Sequence, residues 1–121
     1  MRETDGIRIE RPTAGTAVVV FEGEHDLSGR AELEDLLASL VGKSRLVVAD
    51  LSEAEFVDST IINLLVQAKR EAEVRGCVFR LQMGTHAIVR RVFEVTGVLD
   101  VLDCAPTRED ALRTTEAERS T

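Results

Sequence analysis

The sequence predicts an α/β fold: a largely parallel sheet of about five strands with an N-terminal antiparallel hairpin, packed against about four helices. Three observations predict it. An alternating stretch at residues 7–9 and a β-branched run at 16–21 flank a turn signal at 12–15, as in a hairpin. Beyond them, apolar runs of strand length alternate with stretches of helical periodicity. Alternating strands and helices need crossover connections, and crossovers lay neighbouring strands parallel. The expected order is β-β-α-β-α-β-α-β-α.

A chain of 121 residues suits one domain. That domain is expected to span residues 1–121, with its core at about 7–112 and loosely ordered ends at 1–6 and 115–121. Folding should bury about two-thirds of the surface the unfolded chain exposes, enough for one core. The aromatic residues are four Phe, with no Tyr or Trp, so Val, Leu, Ile and Ala must build that core. The same scarcity argues against stacking of bases or sugars on aromatic rings. The formal net charge of −7 makes nucleic acid and anionic membrane surfaces poor partners. No apolar run has membrane-spanning length and no N-terminal signal pattern occurs, which predicts a cytoplasmic protein without membrane insertion. Cys77 and Cys104 lack metal or redox spacing and sit among apolar residues. They read as two small buried thiols.

Each element has its own signal. Thr16 to Phe21 is rich in β-branched residues and forms the stronger hairpin strand. Residues 23–29 are a charged loop after it, and Ser28 is placed to cap the next helix. Leu33, Leu36, Leu37, Leu40 and Val41 recur at helical spacing, and Gly42 reads as the stop. Residues 45–50 are a near-continuous apolar run, as in a central strand covered on both faces. A short connection at 52–55 follows, and Asp58 or Ser59 caps a second helix that ends at Gly76. Residues 77–83 alternate as a strand. Thr85 is placed to cap a third helix, with Ile88, Val89, Val92, Phe93 and Val95 facing inward and Gly97 as its stop. Residues 98–102 read as the last short strand, and Thr107 with Asp110 resembles a capping box opening a polar C-terminal helix that frays after about Thr114.

Ligands of open α/β sheets bind beyond the carboxyl ends of the strands. Two segments meet that condition, residues 23–29 and 51–60, and as neighbours of consecutive parallel strands they are expected side by side. No glycine-rich phosphate loop or nucleophile elbow is present. His25 and His86 have no Cys or His at metal spacing, so no metal site is expected. Glu24, Asp26, Asp50 and Asp58 could in principle hold Mg²⁺, as octahedral oxygen sites do. Asp58-Ser59-Thr60 remains, at a helix start with free N–H groups and the positive end of the dipole. Two readings are open there. The bland one is an N-cap worth about 1 kcal/mol. The other is a phosphoacceptor, because a helix start tolerates the added negative charge while a docking surface around it changes potential. Arg90 and Arg91 read as a solvated helix face and Met83 as core.

Three motifs, in order and at suitable spacing, resemble the STAS domain family, and within it the bacterial anti-sigma factor antagonists. Phe21-Glu22-Gly23-Glu24-His25-Asp26 is similar to the family's strand end and Gly-Glu-hydrophobic-Asp loop. Val48-Ala49-Asp50-Leu51-Ser52, followed by Phe56-Val57-Asp58-Ser59-Thr60, resembles the signature that opens a helix with Asp-Ser-Ser/Thr-Gly. The stretch at residues 87–98, ending in Gly97-Val98, is similar to the family's third helix. The resemblance implies a non-enzymatic antagonist. It would bind an anti-sigma factor that is a serine kinase, release a sigma factor, and be switched off when that kinase phosphorylates Ser59, with Thr60 as the second candidate. ATP and Mg²⁺ would belong to the kinase, the antagonist would need no cofactor, and a PP2C-type phosphatase would reverse the step. Gly23, Glu24, His25, Asp26, Asp58, Ser59, Thr60 and Ile61 are the implied partner-binding residues of a monomer or weak dimer. The chain departs from the family pattern at Ile61, where Gly is usual and a branched side chain is expected to crowd the kinase, and at His25, where an apolar residue is usual. Two alternatives are a STAS docking subunit of a stress complex or lipid transporter that is never phosphorylated, and a flavodoxin-like Mg²⁺ enzyme using the acidic set.

Overall fold

In the computed structural model, residues 6–25, 27–84 and 86–113 are described. In chain order they form β1 (Ile7–Glu10), β2 (Thr16–Phe21), β3 (Gly23–His25), α1 (Arg30–Lys43), β4 (Leu46–Asp50), β5 (Ala54–Val57), α2 (Ser59–Arg75), β6 (Val78–Gln82), α3 (Ala87–Thr96), β7 (Asp103–Ala105) and α4 (Arg108–Leu112). The main sheet runs β1-β2-β4-β6-β7. β1 pairs antiparallel with β2, and the β2–β4, β4–β6 and β6–β7 pairs are parallel. The hairpin and the mostly parallel sheet are those the sequence pattern predicts.

The two-residue side-chain period sorts each strand between two layers. Ala17, Val19, Phe21, Val47, Ala49, Phe79 and Leu81 face the larger core, which α1, α2 and α3 cover with Leu33, Leu37, Leu65, Val89 and Phe93 among others. Val18, Val20, Leu46 and Val48 face a smaller cluster closed by Ala105 and by Ala111 of α4. Burial on both faces explains why β2 and β4 read as unbroken apolar runs. Met83 is buried, as expected.

Several boundaries differ from the sequence reading, each for a local reason. Residues 23–29 and 52–55 are not simply loops. Gly23–His25 and Ala54–Val57 form a second, parallel two-stranded sheet, so the two segments do lie side by side, joined by backbone hydrogen bonds. The last strand is Asp103–Ala105 and not residues 98–102, which begin with a single 3-10 turn after Gly97. Gly42 does not stop α1, because the helix continues through Lys43 and ends at the extended Ser44. Ser28 falls in a 3-10 turn, and Gly29 takes the N-cap position with no side-chain cap bond. The third helix has His86 at its N-cap, also without a side-chain bond, and Thr85 lies outside the described residues. Ile88 and Val95, expected to face inward, are exposed; Val89 and Phe93 of α3 are buried in the core and Val92 packs against it half-buried. Cys77 is buried but Cys104 is exposed, because β7 is the edge strand and has one neighbour only. The Thr107 hydroxyl does cap α4, accepting from the Asp110 N–H at 3.1 Å. Residues 1–5 and 114–121, including the expected loose ends, lie outside the described residues.

Gly84, between β6 and α3, marks a close approach. A Cβ there would meet the Ser52 Cα at 2.5 Å, well inside van der Waals contact. The β6–α3 connection is therefore pressed against the β4–β5 turn that leads towards Ser59. Gly84→Ala is expected to cost about 2 kcal/mol, measured by urea unfolding, since backbone rather than a flexible side chain must move. An unchanged unfolding midpoint would show that the turn yields freely.

Candidate functional site

The site is built from two backbone segments and one helix start. β3 and β5 pair in parallel with Glu24 opposite Phe56 and His25 opposite Val57, and the register shifts between Gly23 and Glu24. Both ends of β3 are tied to the other segment. The Gly23 N–H donates to the Glu53 carbonyl at 3.1 Å, and the Asp58 N–H donates to the His25 carbonyl at 3.2 Å. Gly23 adopts φ +78, a left-handed conformation that glycine takes without a Cβ penalty, and it turns the chain out of β2 into β3. The pairing fixes the residue just before α2, so the helix start is held from below.

At that start Asp58 is the N-cap. Its backbone is extended, with φ −98 and ψ 177, and its carboxylate accepts from the Ile61 N–H at 3.1 Å. This separates the two readings that the sequence left open. The cap is Asp58, so Ser59 has no structural task as a cap. Ser59 is exposed, and its side chain makes no hydrogen bond among the described residues. Thr60 is half-buried. The first N–H groups of a helix have no intrahelical acceptor, and one of them, at Ile61, is taken by the cap. The positive end of the helix dipole and the remaining N–H groups therefore lie at the free hydroxyl of Ser59.

Ile61 points the other way. It is 1% exposed and belongs to the larger core. Its branched side chain adds no bulk over Ser59, so the crowding expected from the sequence has no structural basis. Ile61 offers the surface only its backbone. His25 is likewise turned inward. Its ring meets Phe21 edge-on at 5.2 Å between centroids, and Nε2 lies 3.0 Å from the Glu22 carbonyl oxygen, where the ring N–H donates. Gly6 leaves it room, since a Cβ there would lie 3.1 Å from the ring. His25 thus fills the place of an apolar residue by packing one ring face and satisfying one nitrogen. Glu24 is exposed and Gly23 half-buried; Asp26 lies outside the described residues.

Two of the acidic residues weighed for Mg²⁺, Asp50 and Asp58, have other partners. Asp50, 2% exposed, accepts from the Ser52 N–H at 2.8 Å through Oδ1 and from Arg108 Nη2 at 3.0 Å through Oδ2. Asp58 is committed to the cap. Among the described residues no three possible metal ligands gather.

Sequence reasoning missed what stands behind this site. Arg108 of α4 bridges Asp50 and Glu10, its Nη1 lying 2.6 Å from Glu10 Oε1. Arg8 of β1 continues the chain of charges to Glu10 at 3.1 Å, Glu22 at 2.8 Å and Glu53 at 3.2 Å. The network joins β1, the end of β2, β4, the β4–β5 turn and α4. The Asp50–Ser52 bond shapes the turn from one side and Arg8–Glu53 holds it from the other. Hydrogen bonding to Arg108 holds the Glu10 carboxyl below the usual carboxylate range, against partial desolvation and with help from Arg8. A carboxyl lowered in the folded state stabilises the fold above its unfolded value, and that contribution is lost as pH falls through the folded value. Wild-type protein should therefore lose more stability on acidification than Glu10→Gln, read from urea midpoints across the carboxylate range. Parallel curves would contradict the coupling.

Comparison with known proteins fits this geometry. Residues 7–111 match the family described as STAS domain. BtrV of Bordetella bronchiseptica, named an anti-sigma factor antagonist, is 31% identical over 99 residues, covering 80% of this chain and 84% of its own. An anti-sigma factor antagonist from Mycobacterium paratuberculosis superposes with a TM-score of 0.76 at 25% identity, covering 93% of this chain and 96% of that one. SpoIIAA, an anti-sigma factor antagonist, superposes in its unphosphorylated form with a TM-score of 0.74 at 22% identity over 95% of this chain and 97% of its own. The phosphorylated form, from Bacillus, gives 0.67 at the same 22% identity over 88% of this chain and 96% of its own. No helix among the described residues is long and apolar enough to cross a membrane. The chain belongs to the STAS domain family, alongside the anti-sigma factor antagonists.

Proposed function

We propose that this chain is an anti-sigma factor antagonist governed by one hydroxyl. With Ser59 unmodified it binds an anti-sigma factor that is a serine kinase, and a sigma factor is released. The kinase, with its own ATP and Mg²⁺, transfers a phosphoryl group to Ser59 Oγ, and binding ends. A PP2C-type phosphatase restores the hydroxyl. The antagonist contributes a surface and an acceptor, and no catalytic group or cofactor. The observation that carries the reading is the division of labour at the start of α2: Asp58 caps, while Ser59 is exposed and its hydroxyl has no hydrogen-bond partner among the described residues. The relative named an anti-sigma factor antagonist, and the phosphorylated form known for SpoIIAA, support it.

The charge argument gives the switch its direction. A phosphoserine adds nearly two negative charges and three acceptor oxygens. At the first turn of α2 the free N–H groups and the dipole offset that charge, so the fold is kept. A partner surface shaped for a neutral hydroxyl has no such compensation. The test is incubation with ATP and the anti-sigma factor encoded in the gene neighbourhood, followed by intact-mass measurement. One phosphate is expected on wild type and none on Ser59→Ala. A phosphate that persists on Ser59→Ala would move the assignment to another hydroxyl, Thr60 first.

A further inference from the structure

Helix α3 shows a second face that the core does not use. Val89 and Phe93 are buried in the larger core. On the outer side Ile88 is 54% exposed and Val95 70% exposed; Val92 lies between them, half-buried and packed in part against the larger core. Positions 88, 92 and 95 fall on one helix face, so the three make a single apolar line about 10 Å long. Such a line is ordinarily core. Here it borders an open dish of about 590 Å³ lined by Ala87, Ile88, Arg90, Arg91, Val92 and Glu94.

Two adjacent positive charges lie beside it, Arg90 and Arg91. Acidic residues outnumber Lys and Arg by 22 to 15; Arg8, Arg75, Arg80, Arg108 and Arg113 make ion pairs, while Arg11, Arg30, Arg45 and Arg70 make none among the described residues. Arg90 and Arg91 make none among the described residues, although Glu94 is one turn away. Two adjacent guanidinium groups next to exposed aliphatics call for a complement that is apolar and edged by carboxylates. The helix that carries the stripe also adjoins the strand that leads to Ser59. α3 packs against β5, whose Phe56 is 39% exposed, and β5 runs directly into the Asp58 cap.

We propose that the outer face of α3 is the second half of the docking surface, seating an apolar, carboxylate-edged patch of the anti-sigma factor. The inference rests on the antagonist reading above and adds to it the chemistry of the partner's surface. Ser59 then acts as the switch, while Ile88, Arg91 and Val95 supply much of the affinity.

The experiment is titration calorimetry of the full chain with the purified anti-sigma factor from its gene neighbourhood, for wild type, Arg91→Glu, Val95→Asp, Ser59→Asp and Arg70→Glu. Arg70 is an exposed residue of α2 away from the site. Arg91→Glu and Val95→Asp should each weaken binding at least about tenfold, with unfolding midpoints near wild type. Arg70→Glu should bind as wild type. Added salt should weaken wild type more than Arg91→Glu. If both α3 variants bind as wild type while Ser59→Asp does not, the α3 proposal is overturned and the antagonist reading stands. If wild type sediments as a dimer that Val95→Asp dissociates, the face is a self-interface and the proposal is likewise overturned. No binding by wild type would overturn the antagonist reading and this proposal with it.

Discussion

Ser59→Asp is expected to weaken binding to the anti-sigma factor by about a hundredfold, close to 3 kcal/mol, without unfolding the protein. The two halves of that expectation have separate causes. A carboxylate in the first turn of α2 meets the positive end of the helix dipole, a gain of about 0.5 kcal/mol. The melting temperature should therefore hold or rise slightly. Binding should fall because the exposed Ser59 lies at the proposed docking surface, where a desolvated charge would find no counterpart. Ser59→Ala is the control. Asp58 is the residue that caps α2, so removing the Ser59 hydroxyl should cost little stability and leave binding intact. Loss of binding in Ser59→Ala equal to that in Ser59→Asp would mean that the hydroxyl is a contact and not a switch.

Asp50→Ala should be the most damaging substitution of a charged residue, at about 3 kcal/mol. Asp50 is buried, and its two oxygens serve the Ser52 N–H and the Arg108 guanidinium. Truncation leaves Arg108 with Glu10 alone and releases the β4–β5 turn. Asp50→Asn, which keeps an acceptor of the same shape, should cost less, about 1 kcal/mol. Amide hydrogen exchange gives the local readout. Ser52 and the β5 amides should exchange faster in Asp50→Ala than in wild type, and by a larger factor than the β2 amides, whose exchange follows global unfolding. Equal costs for Ala and Asn would show that the carboxylate is a space-filler there.

The main sheet up to β6 was legible in the sequence because its signals are local, whereas its edge strand, β7, was misplaced at residues 98–102. β2 and β4 are buried on both faces, so their apolar runs are long and unbroken, and α2 carries a side-chain cap and a left-handed Gly76 stop. What was missed depends on contacts that no local pattern encodes. β3 and β5 are three and four residues long, and β5 buries only its ends, Ala54 and Val57, so it shows no alternation. Phe56-Val57 was the one available hint of strand. The Arg8–Glu10–Arg108–Asp50 network joins residues up to 98 positions apart, and single charges carry no periodicity. Ile88 and Val95 fit a helical core pattern, yet both are exposed, because α3 turns Val89 and Phe93 into the core instead. At the site itself, the residue types of Asp58-Ser59-Thr60 were readable. Which of them caps, and that Ile61 turns inward, was decided by the β3–β5 pairing and by the core beneath α2.

Phosphorylation of Ser59 coupled to release of the anti-sigma factor is the central claim, and one measurement tests it most directly. The complex of antagonist and anti-sigma factor is isolated, ATP and Mg²⁺ are added, and native mass spectrometry follows the free and bound antagonist together. The expected result is one phosphate on the antagonist that leaves the complex, located at Ser59 by fragmentation, with Ser59→Ala remaining bound and unmodified. A phosphorylated antagonist still in the complex, or release of wild type without any phosphate, would contradict the account.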